Sequence, residues 1–290
     1  MNLPFELIYP LKDDEWGLVC PFGIGDTYFT CGFAKEILKT HGGKKITVFV
    51  KSNHTFIPSI FTEISKTVVI QFPFNIKYLG HYDLKMGKPF YSHFIDNNLV
   101  NLIGYNDFTL LDCYKRLFNL KNESSLSKPL SPSKYECKEA EQVFLKNNLS
   151  KFKTVILAPE ANSTAVIDKK FWIDLSKELS NNGFIPVGNI VNHKNNIQGI
   201  QNLNLPLEII RAFVELSGFV VSIRSGLCDL LSDVNTSLVV IYPDVNGGRL
   251  IKGTSLKSMG ISKSAIEYEI KENNSKKIIN NIVSAFKQKK

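Results

Sequence analysis

Asp26 stands in Gly23-Ile24-Gly25-Asp26, just past the apolar run Trp16-Gly17-Leu18-Val19-Cys20. A carboxylate at such a place has two available jobs. It could accept the first N–H groups of the amphipathic segment that follows, as a helix cap. It could equally act as a general base, since glycines let another molecule approach closely. A second turn, Arg224-Ser225-Gly226, follows another apolar run and precedes the short apolar segment Leu227–Leu231. Backbone N–H groups at a helix start bind phosphate, Ser225 adds a hydroxyl donor and Gly226 permits close approach. Arg224 could grip a phosphate in two-pronged fashion, or form a salt bridge across an interdomain cleft. In a third loop, Asn162, Ser163 and Thr164 could donate to the same phosphates. Nearby Lys170 could neutralise an anion or simply be solvated.

Other chemistries find less support. No DxD motif occurs, and Asp13-Asp14 precedes the first apolar run, where a solvated turn is the simpler reading. The five histidines (41, 54, 81, 93 and 193) are never at metal-ligand spacing, so no metal is expected. His54 or His81 could touch a substrate. Cys20, Cys31, Cys113, Cys137 and Cys228 are scattered and odd in number, which suits free thiols rather than a disulfide framework or a zinc site.

The net charge is +8, with much of the excess in the C-terminal "SKKIINNIVSAFKQKK". Such a surface attracts phosphates or anionic headgroups, and a peripheral contact with the inner membrane face is an expectation. No ribonucleoprotein motif or basic recognition helix accompanies the charge, so no nucleic-acid partner is expected. The chain lacks an apolar run of membrane-spanning length and a signal-peptide pattern, which makes the cytoplasm the expected location.

These turns need a scaffold that presents strand ends. Of the 290 residues, 43% are hydrophobic and 21% charged, enough apolar material for two cores. "WGLVCPF", "KKITVFVK" and "KTVVIQF" read as strands. "DTYFTCGFAKEILKTHGG" reads as one helix closed by Gly42-Gly43, and "HTFIPSIF" as the start of another. Residues 74–130 are aromatic with weak periodicity, apart from a helical "NDFTLLDCYKRLFNL". The polar "KNESSLSKPLSPSKYE" is the best linker, followed by a helix in "CKEAEQVFLKNNL". The alternation then restarts with strand "KTVILAPEA", helix "DKKFWIDLSKELSNNG", strand "FIPVGNI", helix "LPLEIIRAFVELSG", strand "FVVSIRSG", short helix "LCDLLSDV" and strand "SLVVIYPD". An α/β protein is predicted, with two Rossmann-like domains whose parallel sheets face a central cleft. The domains span 1–130 and 151–290, joined by a linker and connecting helix over 131–150.

Three blocks carry a resemblance. "LPLEIIRAFVELSGFVVSIRSGLCDLLSDVNTSLVVIYPD" looks like the donor-binding signature of GT-B glycosyltransferases. It is most similar to the ADP-heptose:lipopolysaccharide heptosyltransferase family, glycosyltransferase family 9. "FGIGDTYFTCGFAKEI" resembles that family's N-terminal GD loop and helix, and "LAPEANSTAVIDKKFW" resembles the loop opening its second domain, including a Lys two residues before Trp. The chain departs from the pattern where the family carries Asp-Ser/Thr-Gly followed three residues later by His. Here Arg224 and Asp229 occupy those acid and His positions, and Gly188-Asn189 stands in place of another family acid. Heptose itself is therefore not carried over.

The resemblance implies an inverting, metal-independent glycosyltransferase acting on a bacterial surface glycan such as lipopolysaccharide, capsule or a glycoconjugate. Asp26 would be the catalytic base, beside an acceptor-side loop of Gly23, Gly25 and Thr27. Donor contacts would come from Glu160, Asn162, Ser163, Thr164, Lys170, Gly188, Arg224, Ser225, Gly226 and Asp229. Glu160 would bind a ribose or sugar hydroxyl, or else cap a loop. No cofactor is implied, the nucleotide-sugar being a substrate. Two other readings remain: a GT-B-shaped nucleotide-sugar epimerase, which needs a fuller acid/base set, and a non-catalytic binding or scaffold subunit.

Overall fold

The computed structural model describes residues 9–70, 84–93, 98–162, 164–244 and 247–289. It divides into two compact units, Met1–Ile103 with Phe108–Ser131, and Gly104–Asp107 with Pro132–Lys290. The first is therefore not one continuous stretch. Residues 104–107 belong with the second unit, where the Arg249 guanidinium lies 4.2 Å from the centre of the Tyr105 ring.

The first unit carries a sheet of β1 (Glu15–Cys20), β2 (Lys45–Val50), β3 (Lys66–Val69) and β4 (Pro89–Tyr91), in the order β3-β2-β1-β4. Every pairing is parallel. β1 and β2 are buried along nearly their whole length, as expected of strands covered on both faces. The helices are α1 (Ile24–Gly32), α2 (Ala34–His41), α3 (Phe56–Ser59) and α4 (Leu110–Leu117).

The single helix expected from Asp26 to Gly43 is two, broken at Phe33. Residues 126–127 cross the break: Ser127 N donates to Gly32 O at 2.8 Å, and a Cβ on Gly32 would come within 2.8 Å of Leu126. Glycine leaves room there for the Leu126 side chain, which a Cβ would push aside. α4 opens with Thr109 as cap and Asp112 returning the bond, a reciprocal arrangement that satisfies two orphan N–H groups.

The second unit holds α5 (Lys134–Lys146), β5 (Thr154–Ala158), α6 (Lys169–Asn181), β6 (Ile185–Gly188), β7 (Gln201–Asn202), α7 (Ile210–Ser217), β8 (Phe219–Ile223), α8 (Gly226–Leu230), β9 (Ser237–Pro243), α9 (Arg249–Thr254), β10 (Ile266–Ile270) and α10 (Ser275–Lys287). Its sheet runs β10-β9-β8-β5-β6-β7, again all parallel. α5 starts earlier than the sequence suggested, because Ser133 caps it and Glu136 bonds back to the Ser133 N–H. α6 is capped by Asp168 and sinks Phe171, Trp172, Leu175 and Leu179, one helical stripe, into the core.

The basic C-terminal stretch is not a loose tail. α10 buries Ile278, Ile279, Ile282, Val283 and Phe286 against that same core, leaving its lysines outside. No helix among the described residues is long and apolar enough to cross a membrane.

Candidate functional site

In the first unit, three strand ends deliver polar groups to one place. β1 ends at Cys20, and Gly23 becomes the N-cap of α1, so Asp26 is the third residue of the helix rather than its cap. Its Oδ2 accepts the Gly23 N–H at 3.0 Å, and a Cβ on Gly23 would lie only 3.3 Å from that oxygen. Thr27, fully buried, donates from Oγ1 to Gly23 O at 3.1 Å and fastens the turn. Gly25 sits in the first turn of α1. One carboxylate oxygen therefore does capping work.

The other oxygen faces different company. Tyr114 Oη, from α4, donates to Asp26 Oδ1 at 2.7 Å. Its ring is fully buried, 5.3 Å from Phe29 between centroids. His93, two residues beyond β4, places Nε2 3.7 Å from the same Oδ1, and its ring stacks on Phe22 at 3.9 Å. The side chains of His93 and Asp26 are 24% and 26% exposed. His54, just beyond β2, is buried, with no hydrogen-bond partner for Nδ1 among the described residues. His81, the other histidine considered from sequence, lies outside the described residues.

Burial favours the neutral form of both histidines. His93 is lowered from its ordinary 6.5 by desolvation, with the Asp26 charge pulling the other way. His54 is lowered by desolvation and by Lys51, again against Asp26. Cys20, bonded to Ser92 at 3.0 Å, is pushed up to about 12 mainly by burial, so it stays a thiol at neutral pH.

In the second unit, the turn after β8 pairs Arg224 with Asp229. Arg224 Nη1 and Nη2 donate to Asp229 Oδ2 and Oδ1 at 3.0 and 2.8 Å. Nε donates to Thr254 O at 2.9 Å, and Nη1 also to Ser225 O at 2.6 Å. Both side chains are nearly sealed from solvent. Four hydrogen bonds within this unit thus engage the guanidinium, and the salt bridge is local to this turn. Ser225 Oγ is different, being buried without a hydrogen-bond partner among the described residues, at the N-cap of α8, whose first residue is Gly226.

In the loop after β5, Glu160 takes the loop-capping role, the alternative to a sugar contact. Glu160 accepts from Val191 N at 2.7 Å, Asn192 N at 3.0 Å and Asn195 Nδ2 at 2.7 Å, so it fastens the loop after β6 rather than presenting a free carboxylate. Gly188 packs tightly, since a Cβ there would meet Ile190 at 3.0 Å and Asn202 Oδ1 at 3.3 Å. Lys170 is 76% exposed and paired with Asp174 at 2.8 Å, its pKa raised by that hydrogen bond. Thr164 Oγ1 lies 3.4 Å from Arg224 O, Asn162 is exposed, and Ser163 is outside the described residues. Among the described residues, no three His, Cys, Asp or Glu side chains gather as metal ligands.

Tyr114 and His93 are the site residues that sequence reasoning missed. The one available signal was the helical reading of "NDFTLLDCYKRLFNL", which contains Tyr114 without saying what it faces.

Two parallel α/β units in tandem define the GT-B class of fold, shared with solved glycosyltransferases. No family model and no curated protein sequence matches the chain. Among solved structures, E. coli ADP-heptose LPS heptosyltransferase II is 13% identical, with a TM-score of 0.65 over 95% of this chain and 99% of that one. A glycosyl transferase family 9 protein from Veillonella parvula DSM 2008 is 9% identical, TM-score 0.66, over 97% and 99%. E. coli heptosyltransferase WaaC with ADP is 15% identical, TM-score 0.56, over 95% and 99%. At these identities the likeness is one of fold.

Proposed function

We propose that this protein is an inverting, metal-independent glycosyltransferase that moves a sugar from a nucleotide-sugar to a bacterial surface glycan or glycolipid, with Asp26 as general base. The observation that carries the reading is the state of Asp26: a partly exposed side chain at a parallel-strand end, one oxygen secured by Gly23 and the other set between Tyr114 and His93. Ligands of such sheets bind beyond the carboxyl ends of the strands. The neighbours of like fold include one solved with ADP and one with ADP-2-deoxy-2-fluoro heptose.

The acceptor hydroxyl gives its proton to Asp26 as its oxygen bonds the anomeric carbon. The bond from that carbon to the nucleotide diphosphate breaks, and its electron pair leaves with the phosphate. Ser225 and Gly226, with Asn162, Ser163, Thr164 and Lys170, are the donor contacts we retain. Ser225 heads that set because its buried hydroxyl has no hydrogen-bond partner among the described residues. The expected setting is the cytoplasm, at or near the inner membrane face.

Thermal-shift screening against ADP-, GDP-, UDP- and CMP-linked sugars comes first, then turnover with an acceptor glycan and product analysis by NMR. A chelator should leave the rate unchanged. Asp26→Asn keeps the shape of the cap and should lose roughly 10²–10⁴-fold in turnover with donor affinity nearly unaltered. A variant keeping half its turnover removes Asp26 from the mechanism. The mutual engagement of Arg224 and Asp229 favours a second reading, a non-catalytic binding subunit, which nucleotide binding without turnover would support. An epimerised donor in the product mixture would instead favour epimerase chemistry.

A further inference from the structure

We propose that His93 is the outlet for the proton that Asp26 accepts, receiving it at Nε2 and passing it to solvent. The inference rests on the base reading of Asp26 and adds a second station to it.

Placement comes from the sheet. β4 pairs with β1 in parallel register, Gly17 with Pro89, Leu18 with Phe90 and Val19 with Tyr91, so both strands end at the same edge. Ser92 continues the pairing, its N–H donating to Val19 O at 3.1 Å and its Oγ lying 3.0 Å from Cys20 Sγ. The next residue, His93, is thereby fixed beside the turn that carries Asp26. Phe22, from that turn, supports the imidazole face at 3.9 Å.

The partners of Asp26 differ in what they can do with a proton. The Gly23 N–H is a donor only. Tyr114 already donates to Oδ1, and a phenol does not take a second proton near neutral pH. His93 alone among these three offers a basic lone pair, 3.7 Å from Oδ1, a gap that a small ring movement closes to hydrogen-bond length. This requires the tautomer with hydrogen on Nδ1. The side chain is partly open to solvent while Nδ1 is buried, so the proton leaves from Nε2, the nitrogen that received it.

In bookkeeping terms, the acceptor O–H bond breaks and a carboxyl O–H forms on Asp26. That O–H then breaks as an N–H forms on His93, restoring the carboxylate opposite an imidazolium. The ion pair offsets part of the cost of charging a half-buried ring. Loss of the proton to water returns His93 to neutral, and nothing is oxidised or reduced.

The surroundings suit the task. Asp26 faces His93 from the first turn of α1. Tyr114 from α4, Cys20 from β1 and His54 from beyond β2 surround Asp26, with Lys51 acting on His54. Cys20 stays protonated, which leaves the two histidines as the neighbours whose basic nitrogens can take a proton. Desolvation keeps His93 neutral at pH 7, ready to accept.

The test is His93→Ala and His93→Gln beside Asp26→Asn. His93→Ala should lose on the order of 10²-fold in kcat, with the donor KM little changed. Added imidazole should restore part of the rate, tracking its own neutral fraction. Wild-type kcat should fall on the acid side as His93 protonates, below about pH 6.5, and this limb should vanish in His93→Gln. Unchanged kcat overturns the proposal. So does a loss that imidazole does not relieve and that leaves the acid limb in place, which assigns His93 to packing on Phe22. If Asp26→Asn stays active, the base reading falls as well. If it is inactive while His93→Ala is normal, only the relay falls. NMR titration of the His93 ring needs no turnover: its pKa should drop further in Asp26→Asn, and an unmoved value overturns the pairing.

Discussion

Arg224 and Asp229 close on each other through two hydrogen bonds of 3.0 and 2.8 Å, with side chains only 5% and 2% exposed. A buried pair of this kind owes little net stability to being charged, yet breaking it on one side strands the other charge. Burial opposes the Arg224 charge and Asp229 more than offsets it, so the guanidinium pKa is raised.

Arg224→Ala should therefore destabilise the protein by about 3–5 kcal/mol, read from urea or guanidinium unfolding. Nucleoside and nucleotide affinity should change alike. Replacing both partners, Arg224→Met with Asp229→Leu, should recover most of the loss. A stable Arg224→Ala that selectively loses diphosphate binding would return Arg224 to the donor site.

Tyr114→Phe removes only the hydroxyl that reaches Asp26 and keeps the ring against Phe29. Hydrogen bonds to charged groups contribute about 1.5–3 kcal/mol, and the partial exposure of Asp26 argues for the lower end. A double-mutant cycle of Tyr114→Phe with Asp26→Asn should give a coupling near that lower figure in unfolding free energy. Independent, additive losses would mean the two side chains do not act as a pair.

His54 makes stability depend on pH. Its folded pKa is lowered mainly by burial, so below 6.5 the unfolded chain binds the proton more readily than the folded one. Stability is thus full above about pH 6.5 and is lost as pH falls below it. His93 acts in the same direction. His54→Gln should flatten the fall in Tm between about pH 7.5 and about pH 5 relative to wild type. An unchanged pH slope would exclude His54 as a source of acid sensitivity.

Asp26 was legible because its signal is local: an apolar run, two glycines, then an acid at the head of an amphipathic segment. Tyr114 was not, since it reaches Asp26 from 88 residues away and helix periodicity does not say which neighbour a buried phenol will find. His93 follows a strand of three residues in a region of weak periodicity. The partners of Glu160 are mostly backbone amides more than 30 residues on, which no side-chain pattern reveals. Two signals were available and outweighed. Arg224 precedes a single short helix that contains the opposite charge Asp229, and Ile278, Ile279, Ile282, Val283 and Phe286 mark an amphipathic face among the C-terminal lysines.

The surroundings of Asp26 are assembled from distant parts of the chain, which has a consequence for the order in which they form. Gly23 caps α1 through contacts four residues apart or less. Ser92 must find Val19 across 73 residues, and Tyr114 must find Asp26 across 88. Ordering such long loops slows a contact's arrival during folding. β4 is also a short edge strand, held by β1 alone among the described strands, the kind of element that opens locally before the whole unit melts. The carboxylate thus gains its capping bond early and its proton-handling neighbours late. Mild heating or denaturant should separate His93 from Asp26 while α1 and its cap persist, silencing the chemistry well before the far-ultraviolet signature of the fold is lost.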